Sequence, residues 1–521
     1  MKKEKRIAVL ALTYLLIYSA GCSDRGREKT ASVIELKTGT HLFADDYLVV
    51  DLHQVWRSLN RPSKHPDNPL LKPDRPWEGY LALQPGTVIF DEEEGLFKMW
   101  YNALANNEQP DLQDFLCYAT SQDGIRWEKP DLGLVEFQGS KKNNIFLKHS
   151  FWTHCVIKDT AESDPLRRYK LLYFQARDRD RFGIWAAFSP DGKQWTDYPE
   201  NPVVPFWATG DTFQVTQDPE TRQFILYHKT ISRPVRKVSR MVSDDFIHWR
   251  GSRQVLEPDE YDPPDTEFYG ISAFPYAGQY LGLVWIYHTY TQFMDAQLVS
   301  SRDGIDWERA VGRRRFFPLA PDGGYQSDTF DSGMIFPSSN PIVKDGRVWI
   351  YYSGFTNLHN APSEDHDGKI GLGTLRQDGF VSLDATSEGS VLTPPLKLKG
   401  SSLWVNMTSL TAERINFKRD SGKELYNQLF TGNPSASGYL RVEIQDSEGR
   451  ALAGYEASNC RLLEDTSVYQ GDSFYSEARA GGDIYQQVSW EGGGKLSGIG
   501  DQTVRLKFIL GNAKLYSFRL E

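Results

Sequence analysis

Cysteine and positive charge are both scarce in this sequence. Its 521 residues include four cysteines, and 59 Lys and Arg residues are outnumbered by 69 Asp and Glu residues, which gives a formal net charge of -10. No group of cysteines has the spacing of a zinc site. A chain with this charge balance and without a long basic stretch does not suit a protein that tracks nucleic-acid phosphates. We therefore expect no nucleic-acid partner.

Long hydrophobic runs are also rare, and the one near the start resembles an export signal. The cationic MKKEKR precedes IAVLALTYLLIY, which is too short for a comfortable membrane span. The run ends in SAGC, which resembles a bacterial lipobox with Ser19 where Leu is usual. We expect residues 1–22 to be a lipoprotein signal peptide with lipid on Cys22, and residues 23–40 to be a polar tether. The alternative is an ordinary cleaved secretion signal.

This reading predicts where the protein resides and how it meets a membrane. A lipid on Cys22 would hold the chain in a bacterial cell envelope, in the periplasm or on the outer-membrane surface, with the anchor as its only membrane contact. Cys117, Cys155 and Cys460 then remain, and three cysteines cannot all pair. We expect mostly buried thiols, and one disulfide stays open.

A motif of the form Ser-x-Asp-x-x-x-Trp occurs four times and predicts the architecture. The copies are SQDGIRW from Ser121, SPDGKQW from Ser189, SDDFIHW from Ser243 and SRDGIDW from Ser301. Each follows three short β-rich runs and is expected to form the turn before a fourth strand, with the Trp anchoring that outer strand. A fifth unit of the same kind keeps Asp378 and Gly379, with Phe380 in place of Trp. Five such units predict an all-β fold with a five-bladed β-propeller over residues 41–384, in which the motif aspartates are structural.

The pattern changes after residue 384. Alternating runs such as GYLRVEIQD, TVRLKFIL and KLYSFRLE follow, and no further Trp-led turn occurs. Residues 385–521 are therefore expected to form a C-terminal β-sandwich of jelly-roll type. Helices are expected to be scarce throughout.

Three carboxylates occupy similar positions at the starts of predicted inner strands. Asp211 lies in TGDTFQV, Glu267 in TEFYGIS and Asp331 in FDSGMIF. Carboxyl groups that converge in one funnel suit glycoside chemistry, where one protonates the leaving oxygen and another acts as base or nucleophile. We expect Glu267 to be the acid, because Phe268 and Tyr269 offer a less polar setting, and Asp211 and Asp331 to serve as base, nucleophile or support. The alternative is that all three are ion-paired for structure or binding alone.

Further candidates lie at the inner-strand starts and on the loops that share the funnel mouth. The expected substrate-binding residues are Trp77, Glu78, His154, Arg177, Arg179, Arg233, Tyr269 and His288. The alternative is a solvated charged face, and a core position for His154. His359, Glu364, Asp365, His366 and Asp367 form a cluster that could suggest a metal, but without regular structure to fix it we expect a solvated loop. We predict no metal or other cofactor, and a central structural ion stays open.

Several segments resemble known glycoside hydrolases. HPDNPLLKPDRPWEG is similar to the opening of family 130, while LFADDYLV, NRPSKHPDNPLL, SDDFIHW and TEFYG resemble a group of bacterial family 32-like proteins. The resemblance covers nearly the whole mature chain and implies the five-bladed propeller superfamily that includes families 32 and 43. The chain lacks the Trp-x-Asn-Asp-Pro, Arg-Asp-Pro and Glu-Cys motifs of family 32, which disfavours an invertase or fructanase.

The sequence therefore favours an exported, lipid-anchored glycoside hydrolase that acts on oligosaccharides or polysaccharides. Two alternatives remain. One is a phosphorylase whose mouth arginines hold inorganic phosphate, and the other is a glycan-binding lipoprotein without catalysis. The sugar, the linkage, exo or endo action and the stereochemical outcome stay open.

Overall fold

A computed structural model describes residues 33–79, 81–83, 86–104, 114–148, 153–175, 179–230, 235–319, 329–361, 367–409, 413–418, 424–429, 438–464, 484–492 and 495–521. Nearly all regular structure in these ranges is extended strand, which confirms the predicted all-β class. Their helical segments are short 3-10 turns at Pro165–Arg167, Arg179–Arg181, Phe206–Ala208, Val311–Arg313 and Leu496–Gly498. None of the helices among these residues has the length and hydrophobicity to cross a membrane.

The first strands form an N-terminal segment and the first two antiparallel units. The N-terminal strands are β1 (Ile34–Leu36), β2 (Gly39–Leu42), β3 (Asp51–His53), β4 (Trp56–Leu59) and β5 (Ser63–Lys64). The first unit contains β6 (Leu81–Leu83), β7 (Val88–Asp91), β8 (Leu96–Leu104), β9 (Asp114–Ser121) and β10 (Ile145–Lys148). The second contains β11 (His154–Lys158), β12 (Tyr169–Gln175), β13 (Gly183–Ser189), β14 (Thr196–Asp197) and β15 (Val204–Pro205).

Three more units follow along the chain. The third contains β16 (Phe213–Gln217), β17 (Phe224–Thr230), β18 (Lys237–Ser243) and β19 (Arg250–Leu256). The fourth contains β20 (Thr266–Tyr276), β21 (Gln279–His288), β22 (Met294–Ser301), β23 (Trp307–Arg309) and β24 (Arg315–Phe317). The fifth contains β25 (Met334–Pro337), β26 (Ile342–Lys344), β27 (Arg347–Phe355) and β28 (Lys369–Arg376). Within each unit the long strands pair antiparallel with their neighbours along the chain, as the alternating runs predict. Short consecutive strands share one long partner: β6 and β7 pair with β8, β14 and β15 with β13, β23 and β24 with β22, and β25 and β26 with β27.

The remaining strands form two larger sheets, a parallel pair of β31 with β1, and a separate hairpin of β33 and β34. They are β29 (Val381–Ala385), β30 (Gly389–Leu392), β31 (Leu396–Leu398), β32 (Leu403–Ser409), β33 (Glu413–Lys418), β34 (Glu424–Leu429), β35 (Tyr439–Gln445), β36 (Leu463–Glu464), β37 (Tyr485–Gln487), β38 (Arg505–Gly511) and β39 (Ala513–Leu520). One sheet has the order β37-β32-β39-β29-β4, with β2 also on β39, and the other has the order β3-β30-β38-β35-β36. Side chains of both sheets, such as Phe518 and Phe508, share one buried core. The N-terminal segment thus pairs with C-terminal strands, while the domain boundaries at residues 40 and 384 stay predictions.

The first strands of the units contact one another across the unit boundaries. Val156 N donates to Thr87 Oγ1 between the first and second units, and Cys155 Sγ lies 3.0 Å from Gln214 Oε1 between the second and third. Units three and four share a buried core. Hydrogen bonds then join Ser272 to Pro337 and Ser339 to Gly86, which lead from the fourth unit through the fifth back to the first. The units therefore contact in a ring, although among the described strands no sheet closes on itself.

The four motif copies form the turns that the sequence predicts. In each copy the Ser hydroxyl donates to the Asp Oδ1 at 3.0 Å. In the fourth, Asp303 Oδ1 also accepts from the backbone N–H groups of Ile305 and Asp306. The Gly304 carbonyl then accepts from the hydroxyl of Tyr227 in the preceding unit, and Trp307 packs edge-on against that ring. The motif is therefore structural, as predicted, and it links neighbouring units.

An Asp303→Ala variant is expected to lose about 1–2 kcal/mol of unfolding free energy, because two backbone N–H groups and the Ser301 hydroxyl lose their acceptor. Urea unfolding followed by tryptophan fluorescence measures the loss. Asp306→Ala changes a largely exposed carboxylate in the same turn and should leave the midpoint unchanged. Equal shifts in both variants would contradict the role assigned to Asp303.

The fifth unit departs from the repeat. After Gly379 the chain enters β29, which pairs with β39 and β4 instead of returning along β28. The outer place beside β28 is taken by β5 from the N-terminal segment. Asp378 accepts hydrogen bonds from Tyr276 OH and Ser517 Oγ, both at 2.8 Å, and so ties the fourth unit to the C-terminal strands. The expectation that the fifth unit, like the others, is closed by the strand that follows its Asp-Gly turn is wrong, because β5 from earlier in the chain takes that place.

The three remaining cysteines are buried and unpaired. Cys117, Cys155 and Cys460 are all free thiols. Burial raises the pKa of Cys117 well above its usual value and that of Cys155 to about 12. Both thiols therefore stay protonated at neutral pH, and the expectation of buried thiols is confirmed.

Candidate active site

Two of the predicted catalytic carboxylates lie at the starts of strands in neighbouring units. Asp211 precedes β16 by two residues, and Glu267 is the second residue of β20. The exposed fractions of the two side chains are 35% and 13%. Both carboxylates are therefore shielded from bulk water without being enclosed in the core, which suits groups that meet a ligand.

Each carboxylate is paired with a cation from the third unit. Lys229 Nζ lies 2.5 Å from Asp211 Oδ1. Arg236 donates through Nη1 to Glu267 Oε2. Lys229 is the second-last residue of β17 and Arg236 directly precedes β18, so the two cations lie on either side of the connection between these strands. The pairing offsets the cost of partly removing the carboxylates from water.

The ring of Tyr269 brings the two ion pairs together. Lys229 Nζ lies 4.1 Å from its centre, and Arg236 Cζ lies 5.4 Å from it. Both distances are in the range of favourable cation–π contacts. Asp211 and Glu267 thus approach the same aromatic ring through their cations, and we refer to these five residues as the Tyr269 cluster.

A β-bulge gives Tyr269 its position. Phe268 pairs with Ile286 and Gly270 pairs with Trp285, so Tyr269 is the extra residue between them. Bulges break the alternation of side chains and re-aim the extra residue, and they are frequent next to active sites. The ring of Tyr269 therefore points toward the strand starts instead of following the alternation of β20.

Two more aromatic residues adjoin the cluster: Tyr287, which the sequence did not indicate as a ligand contact, and His359, which the repeat places on a loop at the funnel mouth. Tyr287 lies directly opposite Glu267 in the β20–β21 hairpin. His359 of the fifth unit places Nε2 3.0 Å from Tyr269 OH, and its ring centre is 4.5 Å from that of Tyr287. If the pairing of the β20–β21 hairpin is counted from its turn, the residue expected opposite Glu267 is His288. The bulge at Tyr269 shifts the pairing by one residue to Tyr287. The mouth-side loop assignment indicates the face on which His359 lies, but not its contact with Tyr269.

The protonation of the cluster follows from burial and charge. Burial lowers the pKa of Arg236, but the hydrogen bond and charge of Glu267 outweigh it and raise that pKa overall. Burial raises the pKa of Tyr287, with the charge of Glu267 acting in the same direction and Arg236 opposing it. The guanidinium therefore stays charged and the phenol stays neutral. Both can donate hydrogen bonds to a bound hydroxyl group.

A cavity of about 360 Å³ lies beside His359. Its lining residues are Gln292, Phe293, Ser332, Thr356, Asn357, Leu358, Asn360 and Ala361. The His359 backbone N–H donates to the Gln292 carbonyl at 3.1 Å, which connects the cavity to the Tyr269 cluster. The lining combines amide, hydroxyl and apolar groups, and none of these side chains carries a charge.

Asp331 is buried and ion-paired at the start of the fifth unit. It is 1% exposed, accepts a hydrogen bond from Tyr352 OH at 2.7 Å, and pairs with Lys64 Nζ at 2.7 Å. Tyr352 belongs to β27 and Lys64 to β5. The negative charge of Asp331 is thus paired by a cation from the N-terminal segment, and its convergence with Glu267 and Asp211 stays a prediction.

Trp77 and Glu78 belong to a buried network in the first unit. Glu78 is fully buried, pairs with Lys129 at 2.7 Å and accepts from Tyr101 OH at 2.6 Å. Trp77 Nε1 donates to Asn144 Oδ1 at 2.8 Å. These contacts favour a structural role for both residues, and a role in substrate binding stays a prediction.

The two candidate histidines occupy different settings. His154 is fully buried, and its Nε2 lies 2.7 Å from the Trp100 carbonyl oxygen. Burial lowers the pKa of His154 to about 4 despite this hydrogen bond, so the ring is neutral in the core. His288 Nε2 lies 3.0 Å from Asp295 Oδ2, and Asp295 also pairs with Arg315 at 2.6 Å. Neither histidine contacts the Tyr269 cluster in the described ranges.

Several predicted residues lie outside the described part of the chain. They are Arg177, Arg233 and Cys22, together with Glu364, Asp365 and His366 of the candidate metal loop. Arg179 begins a short 3-10 turn, and only its backbone is described. Among the described residues, no group of three or more His, Cys, Asp and Glu side chains is arranged to hold a metal ion.

The Tyr269 cluster combines the groups that sugar chemistry needs. Two carboxylates can exchange protons or attack carbon, two cations can hold hydroxyl groups or developing charge, and the aromatic faces can stack on a sugar ring. The two carboxylates, Asp211 and Glu267, were predicted from the sequence, as was Tyr269. The pairing of Lys229 and Arg236 with particular carboxylates was not.

Comparisons with known proteins come from solved structures. No family model matches the sequence, and no curated protein matches it. The chain is similar to an N-acetylgalactosamine deacetylase from F. plautii in complex with blood group B trisaccharide, at 15% identity over 67% of this chain and 97% of that one, with a TM-score of 0.41. It is similar to a thermostable family-43 glycoside hydrolase at 15% identity over 58% and 92%, with a TM-score of 0.42.

A third similar structure comes from family 130. This family of mannoside phosphorylases contains glycoside hydrolases that target β-1,2 mannosidic linkages in Candida mannan. The chain matches the structure at 16% identity over 64% of this chain and 95% of that one, with a TM-score of 0.38. Likenesses of this size do not assign an activity to this chain. Glycoside hydrolases are thus among the solved structures that the chain is similar to.

Proposed function

We propose that this protein is an exported glycoside hydrolase that cleaves glycosidic bonds in oligosaccharides or polysaccharides. The five units would form a five-bladed propeller, with the C-terminal sheets as a bracing sandwich, and lipid on Cys22 would anchor the chain in the bacterial envelope. The ring of contacts between the first strands and the core shared by the C-terminal sheets support this architecture.

The convergence of two carboxylates on Tyr269 carries the functional proposal. Glu267 is the proposed acid, Asp211 the base or nucleophile, and Tyr269 the surface on which a sugar ring stacks. Asp331 is assigned a supporting role, because it is buried against Lys64.

The ion pairs would rearrange when substrate binds. While Arg236 donates to Glu267 Oε2, that oxygen is held as an acceptor by the guanidinium and does not carry a proton for a leaving oxygen. Sugar hydroxyl groups can accept hydrogen bonds from Arg236 and Lys229 in its place. Glu267 is then free to take up a proton and pass it to the glycosidic oxygen. In the unliganded chain the same cations hold both carboxylates in position.

Turnover of a substrate panel tests the proposal. The soluble form that begins after Cys22 is incubated with oligosaccharides and with aryl furanosides and pyranosides, with and without inorganic phosphate. Free sugar released in both conditions is the expected result. Sugar phosphate formed only with phosphate would make the protein a phosphorylase. Binding of a glycan without any product would make it a non-catalytic glycan-binding protein.

A further inference from the structure

The guanidinium of Arg236 lies close to two phenol rings and holds one carboxylate. Its Cζ is 5.4 Å from the centre of the Tyr269 ring and 5.3 Å from that of Tyr287. Nη1 donates to Glu267 Oε2, and within the described ranges this is the one hydrogen bond of the side chain. A guanidinium has five N–H donors, and the side chain is 37% exposed. Arg236 therefore has donors left for a ligand.

The proposed mechanism removes the negative charge that pairs Arg236. Glu267 can protonate a leaving oxygen only in its carboxylic acid form, which is uncharged. Arg236 keeps its charge, because a guanidinium is not deprotonated in proteins. A cation that is partly removed from water and loses its partner is costly. A sugar hydroxyl group can accept a hydrogen bond from Arg236, but it does not replace the lost charge.

The other groups of the site do not supply that charge. Lys229 Nζ lies 2.5 Å from Asp211 Oδ1, so the carboxylate of the base or nucleophile already has its own cation. His359, which contacts the ring of the cluster, is neutral or positive and never negative. With Glu267 protonated, the two ion pairs hold one more positive than negative charge. The reacting state of the site is therefore suited to an anion.

We propose that the substrate carries an anionic group on the sugar beside the cleaved bond, and that Arg236 binds this group. The group is the carboxylate of a uronic acid or a sulfate ester, since a guanidinium binds carboxylates and tetrahedral oxyanions through two parallel N–H groups. The anion takes the place of the Glu267 carboxylate. Glu267 takes up a proton from solvent and passes it to the glycosidic oxygen. The inference rests on the proposed function for the role of Glu267, and it deepens that function by naming acidic glycans as the substrate class.

Matched pairs of glycans test the need for an acidic group. The full-length chain is incubated with oligosaccharides of alginate, polygalacturonate, carrageenan and fucoidan, and with the same glycans after carboxyl reduction or desulfation. For at least one pair, kcat/KM for the acidic member is expected to exceed that for its neutral partner by about tenfold or more, the effect of one charge-assisted hydrogen bond. A preference within the carboxylate pairs indicates a uronate, and a preference within the sulfate pairs indicates a sulfate ester.

Arg236→Gln should bring this ratio close to one, because the amide forms hydrogen bonds without a charge. Lys237→Gln is the matched control. Lys237 directly follows Arg236 but pairs with Glu257, outside the Tyr269 cluster, and its replacement should leave the ratio as in wild type.

Proton uptake gives a second measurement, which a merely structural role of Arg236 would not predict. D-galacturonate, D-glucuronate and galactose sulfate are titrated into the full-length chain by calorimetry in buffers of different ionisation enthalpy, each beside its neutral parent sugar. Binding of at least one acidic sugar is expected to take up a proton. Glu267→Gln should bind the same sugar without proton uptake, because the glutamine does not titrate.

The outcomes separate this inference from the proposed function. Equal kcat/KM for acidic and neutral partners, an acidic preference that survives in Arg236→Gln, or proton uptake that survives in Glu267→Gln would each overturn the inference. Hydrolysis of neutral glycans alongside any of these results would leave the hydrolase intact. Turnover only with inorganic phosphate would overturn both, since the free anion would then occupy Arg236. Acidic-sugar binding that depends on Arg236 and takes up a proton, without turnover of any glycan, would sustain the anion site and refute the hydrolase.

Discussion

Glu267→Gln is expected to lower kcat by about 10²- to 10⁴-fold, the usual effect of removing a general acid. Glutamine has the shape of glutamate and keeps an oxygen that can accept from Arg236, but it has no proton to give. The substitution therefore removes the chemistry while retaining the contacts. The initial rate on the best substrate of the panel measures the loss, and the urea midpoint should stay close to that of wild type.

Glu257→Gln is the matched control for this variant. Glu257 is also ion-paired, in its case to Lys237, but it lies outside the Tyr269 cluster. Its replacement should leave the rate unchanged. If Glu267→Gln retained the wild-type rate, or lost rate only in proportion to lost folded protein, the Arg236–Glu267 pair would be a structural contact and the acid would have to be sought elsewhere.

The parts of the fold that rest on local chemistry could be predicted from the sequence. In the Ser-x-Asp-x-x-x-Trp motif, the Asp bonds backbone groups two and three residues ahead, as Asp303 does with Ile305 and Asp306. Every atom needed for the turn is within the motif, so its structural reading follows without the rest of the chain. The strand starts that carry Asp211 and Glu267 follow from the same regular repeat.

The parts that depend on distant segments could not be predicted in this way. Lys64 reaches Asp331 across more than half of the chain because β5 supplies the outer strand of the fifth unit. Asp331 precedes a predicted inner strand much as the other two carboxylates do, and nothing near it in the sequence indicates this pairing. Glu78 is similar, since nothing near it in the sequence indicates that Lys129 and Tyr101 will bury it.

Asp91→Asn is expected to lower the free energy of unfolding by about 3–5 kcal/mol, the usual cost of breaking a buried ion pair. Asp91 is buried at the end of β7 and pairs with Lys98 at 2.7 Å and with Lys158 at 2.6 Å. Tyr169 of the second unit also donates to it at 2.7 Å. The asparagine would leave both ammonium groups short of a counterion where the first and second units meet.

The same network makes the stability of the protein depend on pH. Burial disfavours the charged form of Asp91, but hydrogen bonds from Lys158, Lys98 and Tyr169 outweigh it and hold the pKa of Asp91 far below its usual range. Its stabilisation is therefore complete above the ordinary Asp pKa of about 4 and is lost as the pH falls toward the lowered folded-state value. In that acid range the unfolded chain takes up the proton first.

Urea midpoints at pH 7 and pH 3 test both statements. Wild type should lose stability between the two values, and Asp91→Asn should lose less, because its amide does not titrate. Glu93→Gln is the control, since Glu93 contacts Lys158 from the exposed edge of the network and should have little effect at pH 7. If Asp91→Asn were as stable as wild type at pH 7, the charges of Lys98 and Lys158 would be sufficiently neutralised by Glu94, Glu93 and water. The buried carboxylate would then not hold the first two units together.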